Sequence, residues 1–170
     1  CDKAMHTRAW EFYVQYDGRK ILEGNVTAMK KQVQYMTTWL QPDGTMYQEL
    51  GNVGDPNPCY WLNLGDWCPP KVHPSEKLVH TFFLWLCSDY TARAAEVLGE
   101  QADAQTFRAL ANRTREAFHR TFYNSQEATY GYYGSNIYAL VMGGMSDSRR
   151  DSVVQSLRKE IAERHDGHIN

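Results

Sequence analysis

Residues 74–99 read PSEKLVHTFFLWLCSDYTARAAEVLG, and this stretch decides the fold class. Proline suits a first helical turn, because the N–H it lacks would have no partner there and its φ is already near the helical value. Pro74 and Ser75 therefore open a helix. Leu78, Phe82, Leu86 and Tyr90 then recur every four residues, while Val79, Phe83 and Val97 widen the apolar stripe. That spacing keeps side chains on one face of a helix and would scatter them over both faces of a strand. Gly99 closes the run. Cys87 lies inside it and is expected to be a buried thiol.

Working outward, the same period continues. Downstream, residues 101–123 place Phe107, Leu110, Ala111, Thr114, Phe118 and Phe122 on one side of a second helix. The tyrosine-rich connector 124–134 follows, a candidate for a short strand. Its Tyr130, Tyr132 and Tyr133 form either a lip over a pocket or a cover for a helix pair. A short helix over 135–143 ends at Gly143-Gly144, and Ser146 or Asp147 caps a last helix striped by Val153, Val154, Leu157 and Ile161. Upstream, residues 3–16 read as a helix ended by the turn Asp17-Gly18. Leu22, Val26, Met29, Val33, Met36 and Leu40 give a second stripe, which Gly24-Asn25 is expected to interrupt, with Asn25 as a cap.

Residues 41–73 differ. Pro42, Gly44, Gly51, Gly54, Pro56, Pro58, Gly65, Pro69 and Pro70 exclude a helix. Met46, Tyr47, Leu50, Tyr60, Trp61, Leu62, Leu64 and Trp67 make the stretch too apolar for a solvated linker. Loops of this length in compact domains are usually functional or disordered, and the aromatic content argues against disorder. The expected fold is thus all-α, with antiparallel helical hairpins whose alternate connectors differ: some are tight, and one is a long aromatic loop. A toroid of hairpins places its site at one mouth, built from the long connectors, whereas a plain helical solenoid has uniform short turns.

Composition narrows the function. The 170 residues carry 18 basic and 20 acidic side chains, a net charge of -2, with no block of either sign. That argues against a nucleic-acid or anionic-membrane surface. No apolar run approaches the roughly 20 residues needed to span a bilayer. The four cysteines, Cys1, Cys59, Cys68 and Cys87, fit no zinc spacing. Cys59 and Cys68 share one loop, where a disulfide and two free thiols both remain open. His165-Asp166-Gly167-His168 is a weak metal pattern, because a helix C-terminus also favours histidine by its dipole; no metal and no cofactor is expected. His73 and His80 read as structural. No phosphate-binding loop, nucleophile elbow or dinucleotide fingerprint occurs.

The sharpest local feature is Gly65-Asp66-Trp67. An indole stacks on the C–H face of a sugar ring, and a carboxylate accepts hydrogen bonds from its hydroxyls more strongly than a neutral acceptor does. Trp61, Tyr60 and Tyr47 lie in the same loop and would line such a pocket. Equally, Trp61 and Trp67 would plug the loop into the helices beneath it. Glycoside hydrolysis uses two carboxyl groups across the scissile bond. Glu49 and Asp66 supply the residue types, with Asp55 nearby in sequence, although solvated loop acids look the same.

In their order, these motifs resemble the catalytic (α/α)6 barrel of the α-L-rhamnosidases, glycoside hydrolase family 78. The resemblance rests on Gly65-Asp66-Trp67-Cys68-Pro69-Pro70 followed by Pro74-Ser75-Glu76-Lys77-Leu78-Val79. It continues through Arg115-Glu116-Ala117-Phe118, Gly134-Ser135-Asn136-Ile137-Tyr138-Ala139-Leu140 and Gly167-His168-Ile169-Asn170. More faintly it extends upstream to Asp2 and to Tyr16-Asp17-Gly18-Arg19-Lys20-Ile21-Leu22-Glu23.

The resemblance implies that residues 1–170 are part of such a catalytic domain, cut at both ends, rather than a mature lipoprotein beginning at a lipidated Cys1. It implies inverting hydrolysis of terminal rhamnose from polysaccharides or glycosides. Asp66 and Trp67, then Trp61 and Asp2, would be sugar-pocket residues. The family's general acid lies in an Arg-Asp-Glu-Arg-like motif before the first residue here, and its general base is a Glu beyond the last. Asn136 replaces the family's Gln, and Cys68 stands where aliphatic residues are usual, which leaves the exact sugar open. The partner implied is a carbohydrate, in the periplasm or outside the cell, and an isolated half-barrel would tend to self-associate. Another (α/α)6 glycosidase of different specificity and a non-catalytic helical binding scaffold are the alternatives.

Overall fold

The computed structural model describes residues 3–47, 74–132 and 134–164. Six α-helices fill them: α1 (Lys3–Tyr16), α2 (Arg19–Met36), α3 (Glu76–Leu98), α4 (Gln101–Phe122), α5 (Ser135–Met142) and α6 (Asp147–Arg164). The expected stripes are the buried faces: Leu22, Val26, Met29, Val33 and Met36 on α2, and Phe107, Leu110, Ala111, Thr114 and Phe118 on α4. The ends obey local chemistry. Gly99 takes φ +84, and the N–H groups of Gly99 and Glu100 reach back to the Glu96 and Ala95 carbonyls, closing α3 in a Schellman turn. At the start of α6, Ser146 Oγ accepts the Arg149 N–H.

Three expectations need correction. α2 runs unbroken through Gly24 and Asn25, and the Asn25 side chain donates to the Ile21 carbonyl inside the helix instead of capping a new one. A Cβ on Gly24 would meet nothing within 4 Å, so its cost is only its intrinsic propensity, about 1 kcal/mol. Leu40 leaves the α2 stripe: after a 3-10 turn at Thr37–Trp39 it pairs with Met46 in an isolated antiparallel bridge. The 124–134 connector likewise carries a single bridge, Asn124 to Thr129, and no strand is present among the described residues.

Packing sets the topology. At one level Leu22, Val26 and Met29 of α2 meet Ala9 of α1 and Ala94 of α3; at the other Val33 and Met36 meet Leu84 and Cys87. Rising numbers on α2 against falling numbers on α3 mean that the two run antiparallel. His6 on α1 sits against the Met29 carbonyl of α2 at 3.3 Å, the late part of one helix beside the early part of the other. α1 is therefore parallel to α3. The Phe82 ring lies 4.8 Å from Tyr138, and Trp85 shares a cleft with Val141, so α5 runs with α3 as well. The helices form three hairpins, α1–α2, α3–α4 and α5–α6, with α1, α3 and α5 as an inner row. α3 touches α1, α2, α4 and α5. That central place explains why it is buried nearly all round, down to His80, Thr81, Ser88, Asp89 and Thr91.

The polar groups on α3 are accommodated singly. Ser88 and Thr91 donate to the carbonyls of Leu84 and Cys87 one turn back. The Asp89 carboxylate is paired by Arg93 at 2.7 Å and by Arg108 from α4. Cys87 is buried, as its apolar setting leads one to expect.

Candidate active-site mouth

Because α1, α3 and α5 are parallel, their N-termini share one end of the molecule. The opposite end has tight turns only: Asp17-Gly18, Gly99-Glu100, and Gly143 to Ser146. At the N-terminal end lie the long connectors, the one that leaves α2 and enters α3 and the one that leaves α4 and enters α5. This asymmetry is the arrangement that the alternating connectors lead one to expect for a site at one mouth.

The first connector is anchored where it is described. Asp43 accepts from the Thr45 N–H at 2.9 Å and from Lys77 Nζ at 2.8 Å, and its carbonyl accepts from Arg120 at 2.6 Å. Lys77 first, then Thr45, holds the Asp43 carboxyl down at about 2. The Met46 N–H donates to Thr81 Oγ1 at 3.0 Å, and Gln41 Nε2 donates to the Tyr47 carbonyl at 2.9 Å. Tyr47 stacks on the imidazole of the buried His80 with centroids 6.1 Å apart. Residues 41–47 are thus tied to α3 and α4 before the chain continues, and it returns at the buried Pro74.

The second connector is organised by one buried amide. Asn136 Oδ1 accepts the Tyr130 N–H at 2.8 Å, while Nδ2 donates to Thr129 Oγ1 at 2.9 Å and to the Gly131 carbonyl at 3.1 Å. Gly131 at φ +118 and Gly134 at φ +89 let the backbone turn where an L side chain would be strained. A regular strand would put residues 130 and 132 on one face; the turn at Gly131 separates them instead. Tyr130 points into the core, stacked on Phe118 at 5.7 Å, whereas Tyr132 lines an open cleft. Of the two readings of this segment, Tyr130 takes the covering role and Tyr132 the exposed one; Tyr133 lies outside the described residues.

His119 fastens this connector to the next turn. The Gly143 carbonyl can only accept, so Nε2–H donates to it at 2.7 Å, and Nδ1 then accepts the Tyr130 hydroxyl at 2.6 Å. Burial, the largest effect, lowers the His119 pKa, with Arg149 and Arg115 lowering it further. Burial also raises the Tyr130 phenol, which Arg149 partly offsets.

Asp2, Trp61, Asp66 and Trp67, the candidate sugar-pocket residues, lie outside the described residues, as do Glu49, Asp55, Cys59, Cys68, His165 and His168. What is described is where the segment holding three of them departs and returns: Tyr47 and Pro74, both at the mouth. No group of three His, Cys, Asp or Glu suited to a metal occurs among the described residues. None of their helices is long and apolar enough to cross a membrane. Asn136 and His119 escaped the sequence reading as organisers. Asn136 stood out only as a departure from a family motif, and His119 carried no pattern at all, since its partners are 11 and 24 residues away.

A separate cleft of about 270 Å³ runs along the inner row, between Trp10 and Val14 of α1, Trp85 and Tyr90 of α3, and Val141 of α5. The Arg93 guanidinium lies 5.6 Å from the Trp10 ring and 6.0 Å from Tyr90. These residues sit toward the helix C-termini, away from the mouth.

Three hairpins with parallel inner helices and one elaborated end define the class: an all-α domain of antiparallel helical hairpins. The family described as bacterial alpha-L-rhamnosidase 6 hairpin glycosidase domain matches residues 2–170, and the chain belongs to it. An alpha-L-rhamnosidase of Formosa agariphila is 27% identical over 176 positions, covering 94% of this chain and 17% of that protein. The fold matches the alpha-L-rhamnosidase structure from Dictyoglumus thermophilum with a TM-score of 0.78 at 24% identity, over 96% of this chain and 18% of that one. It also matches the Streptomyces avermitilis alpha-L-rhamnosidase complexed with L-rhamnose, with a TM-score of 0.70 at 22% identity, over 95% and 14%. The chain therefore spans less than a fifth of each relative's length.

Proposed function

We propose that residues 1–170 form part of the catalytic domain of an inverting α-L-rhamnosidase that removes terminal rhamnose from polysaccharides or glycosides outside the cytoplasm. One observation carries the reading: a chain of this family gathers its long connectors at the N-terminal end of the inner helices. A sugar entering there meets the connector that holds Trp61, Asp66 and Trp67, and the start of α1, which Asp2 precedes. Trp67 and Trp61 supply flat apolar faces for the C–H side of the ring. Asp66 and Asp2 accept hydrogen bonds from its hydroxyls, and charge strengthens those bonds.

Inversion needs a carboxylic acid to protonate the leaving oxygen and a carboxylate to activate water on the opposite face. In this reading both come from the full-length protein beyond these 170 residues, and this part builds one wall of the pocket. The test uses the full-length protein: 4-nitrophenyl α-L-rhamnoside should be hydrolysed, with the β-anomer of rhamnose as first product by NMR. Trp67→Ala should raise KM roughly tenfold, the order expected when a stacked aromatic is lost. Cleavage of the glucoside but not the rhamnoside rejects the substrate, and an unchanged KM rejects Trp67.

A further inference from the structure

The tyrosine-rich connector has a second face. Between it and the C-terminal half of α6 lies a cleft of about 330 Å³, lined by Glu127, Thr129, Tyr132, Ser156, Lys159 and Glu163 among others. Ser156 Oγ donates to the Ala128 carbonyl at 3.0 Å, which ties α6 to the connector and fixes the cleft at the mouth end. Tyr132 is 39% exposed, while Tyr130, two residues earlier, is in the core. We infer that this cleft is a rim subsite for a further sugar unit of the substrate, with Tyr132 as its stacking surface and Asn136 as the residue that positions it.

The lining chemistry selects the ligand. A carbohydrate presents hydroxyls that donate and accept around an apolar C–H face. The cleft offers carboxylate acceptors at Glu127, Glu160 and Glu163, an ammonium donor at Lys159 and one aromatic ring, while the Thr129 and Ser156 hydroxyls are committed to the connector. Three carboxylates beside one ammonium disfavour an anion and suit a ligand rich in hydroxyl donors, and no cluster of described residues is suited to a metal.

Stacking also requires a surface that is in place beforehand, since ordering a loop on binding costs affinity. Asn136 supplies that order: its amide holds the backbone at Tyr130 and Gly131, one residue before Tyr132. Ser135 Oγ donates to the Tyr132 carbonyl at 2.8 Å, holding the other side. Tyr132 touches the added sugar in this scheme; Asn136 acts only through the connector.

The inference rests on the glycosidase reading, and its test separates the two. In the full-length protein, Tyr132→Ala should raise KM for a rhamnose-terminated tetrasaccharide roughly three- to tenfold, the range for one lost ring contact. It should leave kcat on the tetrasaccharide and both constants for 4-nitrophenyl α-L-rhamnoside unchanged, and Tyr132→Phe should restore KM. Asn136→Ala should reproduce the KM effect on the tetrasaccharide alone, and Asn136→Gln, which keeps both amide functions, should recover part of it. Equal effects on both substrates, or none on either, overturn the rim subsite. If neither substrate is cleaved, calorimetric titration with the tetrasaccharide decides: binding that weakens in Tyr132→Ala keeps the subsite and rejects only the reaction, and binding that does not weaken rejects the subsite.

Discussion

Replacing His119 by Phe keeps a ring between the connector and the α5–α6 turn but removes both of its hydrogen bonds. Those bonds, at 2.6 Å to Tyr130 and 2.7 Å to Gly143, join three segments that no continuous helix connects. Each is worth about 1 kcal/mol net, and the stranded, part-buried Gly143 carbonyl and Tyr130 hydroxyl add a desolvation cost. The variant should therefore be about 2–4 kcal/mol less stable at pH 7.5.

The gap should narrow in acid. Burial lowers the His119 pKa from 6.5, so the folded protein favours the neutral ring. A proton on Nδ1 would face the Tyr130 oxygen, whose own hydrogen would need a new acceptor beside the Arg149 guanidinium. The stability His119 provides is complete above 6.5, the unfolded value, and falls by up to about 1.4 kcal/mol per pH unit until the lower folded pKa is passed. Phe does not titrate. Urea unfolding of wild type and His119→Phe across pH 5–8, followed by tryptophan fluorescence, measures the difference directly. A variant as stable as wild type refutes the clasp, and a gap that stays constant or widens in acid refutes its neutral form.

Two further outcomes follow from local geometry. Gly44 sits at φ +83, and an added Cβ would come within 2.9 Å of the Ala117 Cβ, so Gly44→Ala should cost about 1–3 kcal/mol, read as a lower urea midpoint. Asp43→Asn removes the Lys77 ion pair. Because Lys77 and Thr45 hold the Asp43 carboxyl at about 2, the wild-type advantage should persist above pH 3.8 and vanish as pH falls through 2. The Asp43 side chain is 41% exposed, so that advantage should stay below about 1 kcal/mol in melts at neutral pH.

Helix positions were legible because a buried face repeats with the helical period. Val26, Met29 and Val33 announce themselves at spacings of three and four. Local breakers were less reliable: Gly24 and Asn25 look like an interruption, yet packing of Leu22 and Val26 on either side outweighs the small cost of a helical glycine. Leu40 keeps the α2 period but follows a 3-10 turn, where the periodic count no longer fixes the face. The stripe on α3 understated its burial. A helix surrounded by four neighbours buries Thr81, Ser88 and Asp89 too, and such residues carry no apolar signal.

The sequence by itself established an all-α chain of helical hairpins, with one long aromatic connector and a motif order shared with a rhamnosidase family. Those properties are local: helical period, turn chemistry and the order of short motifs along one chain. Only the tertiary structure decided that α1, α3 and α5 run parallel, that Tyr130 is sealed while Tyr132 is open, and that His119 and Asn136 organise the connector between them. Each of these depends on groups brought together from different elements or turned to opposite faces, and a hydrogen bond across 24 residues leaves no period in the sequence that forms it.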